Sequence, residues 1–376
     1  MSWQKVTVMS QKIEFIIHAL HEGANISELC RRFNISRKTG YKFLNRYKRF
    51  GVTGLKERTR RPQNSPRKTT PEIEKRILTL RDDHPTWGGR KLKRRLEDMG
   101  HTNIPAPSTI TNILKRNRRI VDKESLKHTP WKSFEAAEPN DLWQMDFKGN
   151  FPLQKGRCHP LTILDDHSRY SICIGACQSE CFHDVKDQLT ESFHTYGLPT
   201  AILVDNGSPW KHAEQFTKLS VWLIKLHIQL KHSSPFHPQT IGKDERFHRT
   251  LKAEIIPDCM YTSLSRCQRL FDEWRIVYNT ERPHESLNMG VPSDRYRISN
   301  RRFNEKINEF DYGPTDQVRK VQARGLISFK NREFRVGRAF RGERVAVRPT
   351  NKDGLFKVYF MTQKIAEIDL NMYNNP

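Results

Sequence analysis

The stretch covering residues 201–254 constrains the fold of this chain more than any other part of the sequence. It opens with the apolar run AILV, which is typical of a buried strand, and Asp205 follows this run directly, ahead of an Asn-Gly turn. A later segment, 243–256, contains no proline or glycine, and its apolar residues recur every four positions, as on the buried side of a helix. Glu245 lies near the beginning of this segment. The stretch therefore predicts one carboxylate at the end of a strand and a second at the beginning of a helix.

A third carboxylate, Asp146, lies within a strand-like segment over residues 143–151. Three acidic side chains carried by two strands and a helix are what a two-metal phosphoryl-transfer site requires. Mg²⁺ prefers hard oxygen ligands and leaves its remaining positions to water and substrate phosphates. The candidate catalytic, metal-binding residues are therefore Asp146, Asp205 and Glu245.

The charge of the chain is strongly positive and unevenly distributed. The 376 residues include 66 Lys and Arg against 42 Asp and Glu, a formal net charge of +24. Residues 1–140 alone hold 31 of the basic and 14 of the acidic side chains. An excess of this size at one end of a chain indicates a polyanionic partner; nucleic acid is the one we expect, and a merely solvated charged surface is the alternative. The length itself predicts roughly two to four domains.

Cysteine usage and hydropathy restrict the class of protein further. None of the seven cysteines forms a CxxC pair or a Cys/His spacing suited to zinc, so we expect free thiols in a reducing compartment. No apolar run approaches the ~18 residues of a membrane helix, and no apolar signal segment follows Met1. These features predict a cytoplasmic protein without a membrane partner.

Residues 1–50 predict a helix-turn-helix domain. Helical periodicity breaks twice, and Ser27 and Ser36 are placed to cap the helices that follow. Helices over 12–48 joined by a short turn follow the helix-turn-helix plan, in which the N-terminal positions of the second helix face base edges in the major groove. The candidate DNA contacts on this second helix are Arg37, Lys38, Lys42 and Arg46. An ordinary helical hairpin with a basic surface is the alternative.

A second helical DNA-binding unit is predicted over residues 71–120. It follows a basic linker over 51–70, whose composition suits contact with DNA phosphates. The last helix of this unit exposes Arg116 and Arg118 as further candidate DNA contacts. Two DNA-reading modules in tandem suit a long or bipartite site. Another linker, 121–140, ends this part of the chain.

The sequence periodicity changes from helical to alternating near residue 141. The predicted strands cover 143–151, 159–165, 170–177 and 201–205. A helix over 182–196 separates the last two, and this order predicts a layered α/β domain over 141–296. After a basic connector over 297–316, five short strands separated by turns predict a small β-barrel over 317–376.

Five motifs occur in order along the chain, namely LWQMDFKG, TILDDHSRY, ILVDNGSPW, SSPFHPQTIGKDERFHRTLKAE and YNTERPHESL. In this order they resemble the motifs of the DDE transposases of bacterial insertion sequences, a family that shares its catalytic core with retroviral integrases. The resemblance covers residues 143–296 closely and the flanks more loosely. It implies a multidomain protein with N-terminal all-α helix-turn-helix units, a central α/β RNase H-like core and a C-terminal small SH3-like β-barrel.

The same resemblance implies a transposase, a polynucleotidyl transferase that binds the terminal repeats of its insertion sequence, cleaves the DNA ends and joins them to target DNA. Asp146 would bridge two Mg²⁺ ions, for which Mn²⁺ can substitute, and Asp205 and Glu245 would each complete one of the two sites. DNA integration and recombination of this kind need synapsis of two double-stranded ends, which implies at least a dimer. Such a protein would work at the nucleoid of a bacterium.

Further side chains near Glu245 are candidates for contact with DNA. Arg249 and Lys252 lie four and seven residues after Glu245, on the same helical face, and the matching positions in integrases are basic and contact DNA. A surface ion pair is the alternative for these two residues. His237 and Gln239, in the loop before the helix, either contact a flipped or frayed terminal base or only shape the loop.

Two other acidic residues near the motifs are not selected as catalytic. Asp166 directly follows Asp165, so the two would point to opposite faces of a strand, and Asp166 fits a strand-turn element better. Glu254 lies nine positions after Glu245, on a different side of the helix, and is expected to be an exposed charge.

Two rival functions are compatible with the same residues. A transposase that has lost its catalytic activity would bind DNA as a regulator without cutting it. This chain, however, retains all three members of the acidic triad. An RNase H-like nuclease would hydrolyse DNA without joining it, because the same metals and carboxylates serve both reactions. The tandem DNA-binding modules favour synapsis of paired ends, and therefore joining.

Overall fold

The computed structural model describes residues 7–57, 68–120, 135–207, 210, 216–233 and 242–373. The chain divides into two units, Met1–Lys68 and Thr69–Pro376. Among the helices within these described ranges, none is both long enough and apolar enough to cross a lipid bilayer.

The first unit is a small group of helices. They are α1 (Val8–Ala19), α2 (Ile26–Arg32) and α3 (Arg37–Phe50). Ser36 caps α3 as expected, since its hydroxyl accepts a backbone amide of the first turn at 3.2 Å. The expected cap at Ser27 is wrong: α2 begins one residue before it, and the side-chain oxygen of Asn25 accepts the first-turn amide at 3.2 Å. One apolar cluster joins the three helices.

A second group of helices begins the second unit. They are α4 (Pro71–Asp83), α5 (Gly89–Asp98) and α6 (Pro107–Arg116). Trp87, Leu92 and Ile110 are fully buried where these helices meet. Gly89 allows the close packing of α5 on α6, because a Cβ atom at this position would lie 2.4 Å from the Pro107 carbonyl oxygen.

A mixed sheet forms the centre of the second unit. Its strands are β1 (Leu142–Phe147), β2 (Phe151–Pro152), β3 (Arg157–Asp165), β4 (Ser171–Cys177), β5 (Ala201–Val204) and β6 (Gln229–His232). β3 pairs antiparallel with β1 and with β4, whereas β5 pairs parallel with β1 and with β6. The sequence pattern predicts β1, β3, β4 and β5 to within a few residues but does not predict the short strands β2 and β6.

Helices cover both faces of this sheet. They are α7 (Phe182–Tyr196), α8 (Lys218–Lys225), α9 (Gly242–Glu254), α10 (Ile256–Cys259) and α11 (Leu264–Thr280). One face packs against α7 and α8 around Trp143 and Ile202. The opposite face packs against α9 and α11 around Leu164 and Phe247. Because side chains alternate along a strand, this second face also receives Asp146 of β1.

The C-terminal part of the chain consists of short antiparallel strands. They are β7 (Gln317–Lys320), β8 (Leu326–Phe329), β9 (Arg332–Arg335), β10 (Arg344–Pro349), β11 (Leu355–Phe360) and β12 (Gln363–Asp369). β7, β10, β11 and β12 form one sheet, β8 and β9 form a hairpin, and both contribute to one apolar cluster. The first of the five strands predicted in this region covers 321–329 (VQARGLISF). Only 326–329 form a strand, β8, because Gly325 has φ +78° in a turn before it. Closure of these strands into an SH3-like barrel stays a prediction.

Candidate active site

Asp146 and Asp205 lie close together at one edge of the sheet. The parallel register pairs Gln144 of β1 with Leu203 of β5, and each aspartate comes two residues later in its own segment. The two side chains line the same narrow cleft, on the face that α9 covers. The structure thus brings together two of the three side chains that the sequence predicts as metal ligands.

The surroundings of the two carboxylates differ. The Asp146 side chain is 26% exposed, and burial, followed by the charge of Asp205, raises the pKa of Asp146 to about 7 although a backbone amide donates to it at 2.8 Å. Asp205 Oδ1 accepts the Gly207 amide at 2.9 Å, and Asn206 donates to the Ser233 carbonyl at 2.7 Å. These two bonds hold the Asn-Gly turn that presents Asp205 to the cleft.

Helix α9 places Asp244 in this cleft, rather than Glu245. The buried side chains of α9 are Asp244, Phe247, His248 and Leu251. Asp244 is 1% exposed and lines the cleft with Asp146. Burial, followed by the charges of Asp146 and Asp166, raises the pKa of Asp244 well above its usual range. Asp244 is not among the residues predicted from the sequence. Its spacing of three, four and seven residues from the other buried positions of α9 is a signal that it lies on the buried side of the helix.

His248 connects α9 to the sheet one turn after Asp244. Its Nε2 lies 2.7 Å from Thr162 Oγ1 on β3. The Thr162 hydroxyl also donates to the backbone carbonyl of Asp146 at 3.0 Å. The first turns of α9 are therefore attached to the same point of β1 that carries the carboxylate.

Glu245, Arg249 and Lys252 are all exposed on α9. Their spacing of four and seven residues places them along one side of the helix. The structure therefore does not bring Glu245 into the cleft with the two strand carboxylates. His237 and Gln239 lie outside the described residues.

Asp166 belongs to a buried hydrogen-bond network. Lys243 Nζ donates to its carboxylate at 2.6 Å, Gln144 Nε2 also at 2.6 Å, and the Ala136 amide at 2.7 Å. The Asp166 side chain is fully buried. These donors satisfy its hydrogen-bonding capacity, and Lys243 also pairs with its charge. Asp166 therefore has a structural role in this network.

The predicted DNA contacts on the helix-turn-helix units differ in exposure. The exposed ones on α3 are Arg37, Lys38 and Lys42. Arg46 is half-buried on the same helix. At the end of α6, Arg116 forms an ion pair with Glu74, whereas Arg118 just after the helix is exposed. The charge that α6 offers to a partner is thus smaller than its sequence indicates.

The chemistry of the cleft suits a hard divalent cation. Within the described ranges, no three His, Cys, Asp or Glu side chains already stand in the arrangement of a metal site. The carboxylates of Asp146 and Asp205 are nevertheless the ligands that Mg²⁺ prefers. Both side chains line the same cleft, so one cation bound there could interact with both carboxylates.

Comparison with known families accounts for most of the chain. Two integrase core domain families match residues 136–238 and 226–292. The C-terminal domain of the IS481 family transposases matches residues 316–376. A helix-turn-helix domain matches residues 11–63, and a homeodomain-like domain matches residues 39–114. These domains, in this order, support a DDE transposase of insertion elements with an integrase-like core.

These matches confirm the predicted helix-turn-helix units and the integrase-like, RNase H-like core of this transposase. The chain is 25% identical over 248 residues to an uncharacterized 39.2 kDa protein of insertion element IS476 from Xanthomonas euvesicatoria, covering 64% of this chain and 69% of the relative. It is 24% identical over 230 residues to an uncharacterized 31.7 kDa protein of IS407 from Burkholderia multivorans, covering 58% and 78%. The HTLV-2 integrase catalytic core in complex with magnesium aligns at 18% identity and a TM-score of 0.35, covering 43% of this chain and 100% of that one, which adds nothing to the assignment.

Proposed function

We propose that this transposase binds the terminal repeats of its own insertion sequence, cleaves the DNA at the element ends and joins these ends to target DNA. The observation that carries the proposal is the placement of Asp146 and Asp205 in one cleft, at the ends of the parallel strands β1 and β5 and beneath α9. Carboxylates held in this way suit phosphoryl transfer, in which positioning and charge neutralisation supply most of the catalysis.

Asp146, Asp205 and Glu245 would hold two Mg²⁺ ions, and Mn²⁺ could take their place. When bound, such ions neutralise phosphate charge and activate a water or a DNA 3′-hydroxyl for in-line displacement. Asp146 would contribute to both ions, the Asn-Gly turn orients Asp205, and Glu245, which is exposed on the first turn of α9, would contribute from that helix. No covalent bond between protein and DNA is needed.

The exposed side of α9 holds the DNA end. Arg249 and Lys252 lie on the same side of the helix as Glu245, where their charges can pair with phosphates next to the cleft. His237 and Gln239 contact the terminal base. The exposed basic residues of α3 and Arg118 after α6 bind the terminal repeat.

The domains divide this work along the chain. The regions 1–50 and 71–120 read the element ends, 141–296 carries out catalysis, and 317–376 forms a small SH3-like barrel that contacts target DNA or another subunit. Synapsis of two ends requires at least a dimer, since each end occupies its own set of DNA-binding domains. The protein acts at the nucleoid, in the bacterial cytoplasm.

A strand-transfer assay tests the proposal. Purified full-length protein is incubated with Mg²⁺ or Mn²⁺ and with labelled DNA that carries the ends of the element. We expect joined products with the wild type, and a loss of at least about a hundredfold in Asp205→Asn and Glu245→Gln. Binding of the DNA ends, measured in parallel, should persist in both variants because the helix-turn-helix units are unchanged.

Each other outcome identifies a rival. Binding without cleavage by the wild type indicates a DNA-binding regulator, and cleavage without joining indicates a nuclease. If Glu245→Gln joins DNA ends as efficiently as the wild type, Glu245 is not a metal ligand.

A further inference from the structure

Asp244 lacks the partners that other buried carboxylates of this domain have. Its side chain is 1% exposed, and its Oδ1 has no hydrogen-bond partner among the residues that the structure describes. Asp166 accepts three hydrogen bonds, and Asp165 accepts the Asn140 amide at 2.8 Å together with the amide and hydroxyl of Ser168 at 2.8 and 2.5 Å. Buried polar atoms are nearly always hydrogen-bonded, so the exception at Asp244 requires a physical reason.

The helix holds Asp244 in the cleft. One turn later, His248 bonds Thr162 at 2.7 Å, and the buried apolar residues of α9 pack against α11. The backbone of Asp244 cannot turn away without breaking these contacts. Its side chain therefore stays in the narrow space that it shares with Asp146 and Asp205.

The adjacent lysine does not offset this charge. Lys243, the adjacent residue, points its Nζ at Asp166 instead, 2.6 Å from Oδ1 and 3.2 Å from the backbone carbonyl. A third carboxylate beside Asp146 and Asp205 opposes folding through burial and like-charge repulsion. An apolar side chain of similar volume would fill the same space at lower cost.

A divalent cation removes this cost, because hard cations bind several carboxylate oxygens at once. We propose that Asp244 is a further metal ligand of this transposase and that it binds a divalent cation of the active site together with Asp146 and Asp205. The three carboxylates, all among the described residues, do not already stand in the arrangement of a metal site, so their side chains must rotate toward the cation when it binds. The inference rests on the proposed function for the presence of a cation, but it assigns a residue outside the triad that the sequence motifs indicate. Asp244 adds a carboxylate from the buried side of α9, whereas Glu245 approaches from the exposed side.

Mn²⁺ binding to the full-length protein tests the assignment. Isothermal titration calorimetry with Mn²⁺ compares the wild type with Asp244→Asn and Asp244→Ala, after circular dichroism has shown that the variants are folded. We expect at least about tenfold weaker Mn²⁺ binding in both variants. Without metal, their thermal midpoints should equal or exceed that of the wild type, because the repulsion between buried carboxylates is relieved. The rise in midpoint that Mn²⁺ produces should shrink in parallel with the affinity.

Two other aspartates provide matched controls. Asp166→Asn changes a buried carboxylate whose hydrogen bonds are satisfied, so its thermal midpoint should fall while its Mn²⁺ affinity stays close to that of the wild type. Asp258→Asn changes an exposed carboxylate and should alter neither quantity.

Wild-type Mn²⁺ affinity in both Asp244 variants would overturn the assignment and leave Asp244 as an acid buried without a ligand. Absence of saturable Mn²⁺ binding by the wild type would overturn it as well. Loss of Mn²⁺ binding in the Asp244 variants supports it even if the wild type joins no DNA ends, in which case only the proposed function fails.

Discussion

Nδ1 of His248 lies 3.9 Å from Oδ2 of Asp146, yet the two side chains do not form an ion pair at neutral pH. Burial, followed by the charge of Lys148, lowers the pKa of His248 to about 3, so the ring is neutral. The Thr162 hydroxyl donates its hydrogen bond to the Asp146 carbonyl, and Nε2 of His248 therefore carries the ring proton and donates to Thr162. A neutral histidine thus links α9 to β1 and β3 beside the cleft.

Replacing this histidine should weaken the attachment of α9. We expect His248→Leu to lower the free energy of unfolding by about 1 kcal/mol, since a buried hydrogen bond to Thr162 is lost. His248→Gln retains an amide donor and should lose less. Urea denaturation followed by circular dichroism measures both. Equal losses in the two variants would show that packing, rather than the bond to Thr162, holds the ring in place.

The strand ends of the cleft could be predicted from the sequence, whereas the helix above them could be predicted only in part. Asp205 follows an apolar run and precedes an Asn-Gly turn, a pattern that predicts a carboxylate at the end of a buried strand. Asp244 shares the spacing of the buried positions of α9, but this spacing alone does not identify it, because a carboxylate within a buried stripe has the same appearance in sequence as a charge that faces water. Its burial depends on the packing of α9 against β1 and β5, two strands that are far away in the chain.

Short elements were also beyond the sequence pattern. α8 spans Lys218–Lys225, too few residues to show helical periodicity clearly, and β6 is shorter still. Both are stabilised by tertiary packing: Leu219 and Leu223 of α8 and the neighbouring Ile228 lie in the core that β5 shares.

Glu254 provides a second correction and a second prediction. It is not an exposed charge: its carboxylate accepts Trp274 Nε1 at 3.0 Å, Arg282 Nη2 at 3.1 Å and the Thr86 hydroxyl, and it thereby joins the α4–α6 group to α9 and α11. The side chains of Glu254 and Arg282 are only 12% and 10% exposed. We expect Glu254→Ala to reduce stability by about 3–5 kcal/mol, because a buried guanidinium loses its carboxylate. Thermal and urea denaturation measure the loss.

Arg90→Ala is the matched control for this ion pair. Arg90 pairs with Glu285 at 3.5 Å between the same parts of the structure, but the two side chains are 72% and 62% exposed. Its loss should change stability by less than about 1 kcal/mol. Comparable losses from Arg90→Ala and Glu254→Ala would show that burial does not decide how much each ion pair stabilises the fold.

The pH dependence of stability should reveal a second histidine with a lowered pKa, the half-buried His284. Burial, followed by the charges of Arg282 and Lys91, lowers the pKa of His284 from its ordinary 6.5 to about 3. As the pH falls below 6.5, the unfolded chain gains a proton that the folded chain does not, so stability is lost until the pH reaches about 3. His284→Asn does not titrate in this window. Relative to this variant, we expect the wild type to lose about 2 kcal/mol of unfolding free energy between pH 7 and pH 5. Parallel stability curves for the two proteins would show that His284 does not titrate in this way.

The helix-turn-helix assignment of α3 predicts different effects at its two ends. Arg37 begins the helix, where side chains reach base edges, and Lys48 is an exposed cation on its last turn. We expect Arg37→Ala to weaken binding to the element ends by roughly 1–3 kcal/mol and to reduce the preference for these ends over unrelated DNA. Lys48→Ala should weaken binding to both DNAs equally and, if Lys48 contacts a phosphate, lower the slope of log affinity against log salt by about one. Fluorescence anisotropy at several salt concentrations measures both quantities. An unchanged preference in Arg37→Ala would instead favour an ordinary helical hairpin with a basic surface, because loss of a base contact must alter discrimination between sequences.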